Sequence, residues 1–325
     1  MKILITGATG FLGRVLSEML LERGHTLTLM GRDFSGTRNL LYMGAVPLRL
    51  DLREAEKVQA ACQGMDAVCH VGALSSTWGP RREFWDINVE GTRSVLEGCL
   101  QHHVRRLVHV SSPSVVFDGG DHIELTEDAP YTKKFLSVYS ETKKEAEDLV
   151  LATRALLEVA VVRPKAIYGP GDRALLPRLI QTARLGRLPQ VGNGQNRIDL
   201  TFVDDAARSL VLALEHSGPL PIRPLWHVTG GEHVRLWDLI DRVLEHQRIS
   251  RNLRKLPLEA ALLAATALEQ FSHLSGKEPT LTRYTAFLLA RTQTYDISKA
   301  KRELGYVPQV SLEEGLKRTL ERLER

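Results

Sequence analysis

Residues 3–13 read Ile3-Leu4-Ile5-Thr6-Gly7-Ala8-Thr9-Gly10-Phe11-Leu12-Gly13, and this stretch decides the fold. An apolar run meets a glycine-rich turn, which leads into Leu12, Val15, Leu16, Met19 and Leu20, an apolar stripe at i, i+3, i+4 spacing. That periodicity predicts strand, turn and amphipathic helix. In such a turn the glycines allow a tight bend, close approach of backbone N–H groups to a pyrophosphate, and close packing of helix on strand. The helix N-terminus then offers free donors and a positive dipole end to phosphates. Gly7, Thr9, Gly10, Phe11, Leu12 and Gly13 are the candidate dinucleotide contacts; a simple packing turn is the alternative.

Outward from this unit the pattern repeats. Strands are expected near 2–6, 26–30, 46–50, 66–71, 105–111 and 159–163, with helices between, one carrying Val89, Val95, Leu96 and Leu100. Alternating strands and helices imply a parallel sheet covered on both faces, because parallel neighbours need a crossover. The fold class expected is α/β, a Rossmann-type doubly wound parallel sheet with a smaller, mostly helical C-terminal substrate lobe. The rhythm breaks at Gly169-Pro170-Gly171, so the expected division is a dinucleotide-binding domain over 1–170 and a substrate lobe over 171–325. The lobe is interleaved with a late return to the sheet near 200–230. Helices are expected over 175–185, 203–215, 236–246, 258–271 and 312–323.

Composition excludes several classes. The 325 residues are 43% apolar and 25% charged, without the proportions of a disordered or collagen-like chain. The net charge of +4 is mild, and basic residues alternate with acids (Arg302-Glu303, then Lys317, Arg318, Glu321, Arg322, Glu324), so no nucleic-acid partner is expected. Cys62, Cys69 and Cys99 show no metal or redox spacing; no metal site is expected, and a reducing, cytoplasmic setting follows. No targeting segment and no transmembrane run is expected. A basic patch (Arg248, Arg251, Arg254, Lys255) precedes the apolar stretch to Phe271. Such a segment can lie on a membrane surface; the alternative is a helix covering a pocket.

The second strand discriminates cofactors. An acidic residue at its end bonds the ribose of NAD, whereas an arginine accommodates the 2′-phosphate of NADP. Here Gly31-Arg32 stands there, with Asp33 one step later. NADP is the cofactor expected, with NAD the other candidate. After the fifth strand come Ser111-Ser112, and 27 residues beyond Ser112 comes Tyr139-Ser140-Glu141-Thr142-Lys143. Tyr139 and Lys143 share a helix face. A neighbouring ammonium lowers a phenol's pKa, so Tyr139 is the expected acid/base, Lys143 its modulator, and Ser112 the hydroxyl facing the substrate oxygen.

With these motifs in place, the sequence resembles the extended short-chain dehydrogenase/reductases, and within them the 3β-hydroxysteroid dehydrogenase-like branch. The resemblance runs through Asp51-Leu52, Val71-Gly72-Ala73, Asn88 to Thr92, Arg163 to Asp172, Asn193 to Asn196, Asp199 to Asp205 and Asp296 to Ala300. It implies that Asp51 and Leu52 contact the adenine, that Ala73 lines the cofactor channel and Asn88 helps place the nicotinamide half, and that Pro164 and Ile167 face the nicotinamide. Ser111 is grouped with the cofactor contacts. It also implies an NAD(P)-dependent oxidoreductase and a homodimer through the helices of 89–100 and 139–151.

The substrate expected is a small hydrophobic ketone or alcohol, such as a sterol or a 2-alkyl-3-oxo acid. Ser75 and Trp78 would lie over the nicotinamide, and Leu256, Leu258, Leu262, Leu263, Leu268, Phe271 and Phe287 would supply an apolar pocket. Lys165, Arg81 or Arg82 would hold an acid's carboxylate. A nucleotide-sugar epimerase is the rival, opposed by Ala166 where sugar epimerases usually carry asparagine. A non-catalytic NADP-binding sensor is the alternative from another class.

Overall fold

The computed structural model describes residues 1–250 and 254–323; Arg251 and Glu324 of the charge patterns above lie outside them. Seven parallel strands form one sheet: β1 (Lys2–Thr6), β2 (Thr26–Gly31), β3 (Val46–Arg49), β4 (Ala67–His70), β5 (Arg106–Val110), β6 (Glu158–Pro164) and β7 (Leu225–Val228). Their spatial order is β7-β6-β5-β4-β1-β2-β3. The first six coincide with the runs expected from sequence, and β7 is the expected late return, pairing Trp226 with Val162. β1, β4, β5, β6 and β7 are buried on both faces almost throughout, which explains their apolar runs, whereas the edge strand β3 is largely exposed.

Alternate residues feed two cores. Ile3 and Ile5 point to one side with Leu16, Leu210 and Trp226; Leu4 points to the other with Val68, Val95, Val150 and Val161. The first layer holds helices α1 (Phe11–Glu22), α5 (Val203–Glu215) and α9 (Leu312–Leu323), and the second holds α2 (Gly91–Gln101) and α3 (Val138–Ala152). The sequence reading places α5 and α9 in the lobe. They belong to the sheet layer instead, because Val203, Leu210 and Leu214 of α5, and Leu312, Leu316 and Leu320 of α9, are buried in the core shared with β1 and α1.

The lobe consists of α4 (Leu176–Arg184), α6 (Leu236–His246), α7 (Leu258–Ser275) and α8 (Arg283–Ala290), with a four-stranded patch of short strands joining 122–125, 197–198, 234–235 and 293–295. Its apolar residues divide in a way the sequence does not reveal. Leu256, Leu258 and Leu262 pack with Val191, Ala261 and Ala286 in a small core, while Leu263, Phe271 and Leu274 are exposed. The expected apolar pocket wall from α7 is therefore corrected: the helix points Ala261, Ala265 and Glu269 inward and much of its apolar surface outward. Among the described residues no helix is long and apolar enough to cross a membrane.

Candidate active site

The strand order reverses between β1 and β4, and ligands of such sheets bind at that switch point. Gly7, with φ +67°, lies there against the Val71-Gly72 turn; a Cβ on Gly7 would stand 2.6 Å from the Gly72 Cα. A Cβ on Gly13 would stand 2.2 Å from the Gly7 carbonyl oxygen. Gly10 caps α1 without a side chain bonding its first N–H groups. The chain thus builds a cradle of uncapped donors that side chains would fill, which fits a dinucleotide pyrophosphate. Thr9 packs against Gly31, where a Cβ would meet its side chain at 2.5 Å, so the turn and the end of β2 are locked together.

Beneath the turn runs a buried polar chain. The Gly72 N–H donates to Thr6 Oγ1 at 3.1 Å, and Thr6 Oγ1 lies 2.7 Å from His70 Nδ1. On the other side His70 Nε2 lies 2.9 Å from Thr92 Oγ1, which donates to the Asn88 carbonyl at 2.7 Å. Because Thr92 has given its proton to Asn88, the network assigns the His70 proton to Nε2 and makes Nδ1 the acceptor. Asn88 is itself fully engaged: Oδ1 accepts from the Leu74 N–H, and Nδ2 donates to the Leu74 carbonyl and to Thr142 Oγ1. It therefore ties the 74–78 loop to α3 rather than presenting its amide to the cleft.

Burial pushes His70 and His227 down to about 3, with the charges of Lys143 and Arg163 respectively acting in the same direction. It holds His109 well below the ordinary range as well. The unfolded chain takes up protons on these histidines from about pH 6.5 downward and the folded chain does not, so acid favours unfolding. Stability is expected to fall as pH drops from about 6.5 toward 3. Denaturant midpoints measured from pH 7 to pH 5 check this; a flat profile contradicts it.

At the end of β5 the two serines part, as successive residues of extended chain must. Ser111 is buried and donates to Glu147 Oε2. Ser112 is half-buried, and its Oγ accepts from the Ser114 N–H at 3.2 Å, starting the short 3₁₀ turn Pro113–Val116. Helix α3 is capped by Ser137, whose Oγ accepts from the Ser140 N–H at 3.1 Å, and this sets Tyr139 in the first turn. Ser112 and Tyr139 come together: burial raises the Tyr139 phenol pKa and the hydrogen-bonding Ser112 hydroxyl draws it back down.

Lys143 is engaged by the backbone. Its Nζ donates to the Val110 carbonyl at 2.6 Å and lies 3.4 Å from His109 Nε2, so the ammonium is drawn under the sheet end. The Tyr139 phenol stands above its ordinary value rather than below it, and Lys143 itself is pushed down to about 8 by burial, with Glu147 opposing. Glu147, one turn beyond, was not singled out from sequence, although Tyr139, Lys143 and Glu147 share one i, i+4, i+8 face. Its carboxylate takes Arg163 Nε at 2.9 Å, Arg163 Nη2, the Ser111 hydroxyl and the Tyr131 hydroxyl at 2.6 Å.

The remaining expected contacts lie round this centre. Leu52, Ala73, Pro164 and Ile167 border the same sheet edge; Pro164 ends β6, Ala73 and Ile167 are half-buried, and the Leu52 side chain would meet a Cβ on Gly72 at 3.0 Å. Asp51 is held at about 2 by hydrogen bonds from Arg53, opposed by burial. Arg32 is 73% exposed and 3.8 Å from Asp51. Ser75 is exposed, whereas Trp78 packs against His273 of α7 with ring centroids 4.8 Å apart and the rings tilted by 48°. A cavity of about 300 Å³ lies between that loop, the start of α3 and the lobe, lined among others by Trp78, Phe84, Val138, Glu141, His273 and Tyr284. Its mixed lining again departs from the apolar wall expected. Arg81 pairs with Glu141 and lies over the Trp85 ring, and Arg82 faces Asp86 at the surface, so neither is free for a substrate acid.

A doubly wound sheet with a glycine cradle at its switch point, and a Ser–Tyr–Lys set beside it, defines an extended short-chain dehydrogenase/reductase. The model of the 3-beta hydroxysteroid dehydrogenase/isomerase family matches residues 4–217. The chain is 38% identical to a 2-alkyl-3-oxoalkanoate reductase of Stenotrophomonas maltophilia, covering 98% of each, and 31% identical to the mouse sterol-4-alpha-carboxylate 3-dehydrogenase, decarboxylating, covering 98% of this chain and 90% of the mouse protein. Among solved structures, a UDP-glucuronic acid 4-epimerase of Bacillus cereus in complex with NAD superposes with a TM-score of 0.77 at 25% identity, covering 100% of this chain and 99% of the epimerase. The chain belongs to the 3-beta hydroxysteroid dehydrogenase/isomerase family. It is an oxidoreductase acting on hydroxyl and keto groups.

Proposed function

We propose that this protein reduces the ketone of a hydrophobic 3-oxo substrate with NADPH, using Ser112 and Tyr139 to hold and protonate the carbonyl oxygen. The pairing of the Ser112 hydroxyl with the Tyr139 phenol carries the reading. When bound, the nicotinamide supplies the hydride to the carbonyl carbon. Ser112 Oγ donates to the carbonyl oxygen, and Tyr139 passes its phenolic proton to that oxygen as negative charge grows there. In the reductive direction the Tyr139 phenol, held above its ordinary value by burial, is the group that carries the proton for the carbonyl oxygen. Lys143 holds a positive charge beneath the pair, and Val110 fixes where that charge sits. The relatives' names supply the substrate class: one acts on a 2-alkyl-3-oxoalkanoate and another is a sterol 3-dehydrogenase.

The NADP preference is proposed from the end of β2. Asp33 is turned onto its own loop, accepting from the Ser35 N–H and hydroxyl at 3.0 Å each, and so does not reach for a ribose. Arg32 projects beside it, and the charges of Arg49 and Arg173 also act on Asp33, making the surroundings basic. Arg32→Asp is expected to weaken NADPH binding by about ten- to a hundredfold, the worth of charge-assisted hydrogen bonds, while NADH binding holds. Fluorescence titration with both nucleotides measures it, and tight NADH with weak NADPH binding by the wild type contradicts it. Screening sterol ketones and 3-oxo acids for oxidation of bound NADPH tests the reductase reading. A homodimer through α2 and α3 is proposed from the family resemblance and is checked by sedimentation equilibrium.

A further inference from the structure

Lys165 follows β6 directly, between Pro164 and Ile167, so it leaves the sheet at the edge where Ser112 also emerges. Its backbone is pinned on both sides: the N–H donates to the Val228 carbonyl at 3.0 Å, and the carbonyl accepts from Thr201 Oγ1 at 2.6 Å. Ala166 then adopts a left-handed φ of +44°, unusual for a residue with a Cβ, and this local strain holds the bend. Only the side chain of Lys165 has freedom. Its Nζ donates to Gln293 Oε1 at 2.7 Å and lies 5.6 Å from the centre of the Tyr295 ring.

No carboxylate among the described residues comes within ion-pair distance of this ammonium. Asp199 is the one whose charge acts on it, but Asp199 is bound by His233 Nδ1 at 2.5 Å and by the Tyr295 N–H at 2.8 Å. Beside Lys165 two further donors are buried without a partner: Gln293 Nε2 and the Tyr295 hydroxyl, on side chains about 1% exposed. Buried polar groups are normally satisfied, so two unpartnered donors on the residues that contact Lys165 mark a missing acceptor. Lys165 adjoins the reaction centre through the sheet: it follows β6 and Ser112 follows β5, and these neighbouring strands pair at their ends, Val110 with Val162.

We propose that Lys165, oriented by Gln293 and lying over the Tyr295 ring, binds a substrate carboxylate one carbon removed from the reacting carbonyl. The inference rests on the ketone-reductase reading and narrows its substrate to 3-oxo and 3-hydroxy acids. Both named relatives act on molecules with this relation: a 3-oxoalkanoate and a sterol 4-carboxylate oxidised at carbon 3 place the carboxyl carbon next but one to the reacting carbon. An ammonium there, together with Ser112 and Tyr139 on the carbonyl oxygen, grips the substrate at two points and leaves the alkyl parts to the lobe. The ammonium is half-buried, which strengthens an ion pair relative to water.

The test compares a medium-chain 2-alkyl-3-hydroxy acid with its methyl ester by calorimetric titration of the wild type and of Lys165→Met. The acid is expected to bind the wild type at least about tenfold more tightly than the ester, and the preference to collapse toward unity in Lys165→Met. Gln293→Leu is expected to lower the preference in part, and Lys165→Arg to retain part of it. If Lys165→Met is insoluble, Lys165→Gln is read in the same way. A preference that survives loss of the ammonium, or its absence from the wild type, overturns the proposal. Turnover of 3-oxo esters separates the two readings: turnover without acid preference removes the anion pocket alone. Lysine-dependent acid binding without any ketone turnover keeps the pocket and removes the reductase reading.

Discussion

Tyr139→Phe lowers turnover by at least about 10², the lower range for loss of a general acid, while nucleotide affinity changes little. The variant removes one oxygen from a first-turn position whose backbone is fixed by the Ser137 cap, so the helix and the Lys143 face beneath it are kept. A factor of 10² corresponds to about 2.7 kcal/mol of transition-state stabilisation. Ser112 retains its bond from the Ser114 N–H and still meets the carbonyl oxygen, which leaves the residual rate. Steady-state kinetics with the best ketone, beside NADPH titration of the same protein, measures both halves. Comparable turnover in the variant removes Tyr139 from the role.

Glu147→Ala is expected to cost about 3–5 kcal/mol of stability, the usual result of breaking a buried ion pair by removing one partner. Glu147 is fully buried and Arg163 is 1% exposed, so the guanidinium left behind has no water to turn to. Ser111 and Tyr131 lose their acceptor at the same time. Burial raises this carboxyl's pKa, but Arg163 and the two hydroxyls outweigh it and hold the pKa below the ordinary value. The sign follows: the pair stabilises above the unfolded-state carboxyl pKa and is lost as pH falls through the lower folded one. Urea unfolding at neutral pH should show a lower midpoint with an unchanged slope. A loss under about 1 kcal/mol contradicts the assignment.

The pair also has a place in the chemistry. Ser111 and Ser112 are neighbours, and Glu147 anchors the first while Tyr139, on the same helix face, meets the second. On the proposed reading, movement of Ser111 would be transmitted to the Ser112 hydroxyl beside it. The Asn88 amide does similar work from the other side, fastening the Leu74 backbone to Thr142 of the same helix. Neither residue needs to touch the ligands to fix where they sit.

Much of this architecture is legible in the chain because its signals are local. The turn at Thr6–Gly13 needs glycines within eight residues, a helix stripe repeats within a turn, and a strand reads as a short apolar run, so element order and the switch-point cradle follow from neighbouring residues. The places of Ser112 just past the end of β5 and of Tyr139 in the first turn of α3 are legible too, from the apolar run and the helix face. What was not legible depends on residues far apart in the chain. Lys143 and His109 are separated by 34 positions, Arg163 and His227 by 64, and Lys165 and Gln293 by 128. Periodicity says that α5, α7 and α9 have apolar faces but not which surface each will meet. Folding alone turned α5 and α9 onto the sheet and left Leu263 and Phe271 outside. A pKa is likewise set by burial and by partners from distant segments, which is why Tyr139 stands above its ordinary value despite a lysine four residues away.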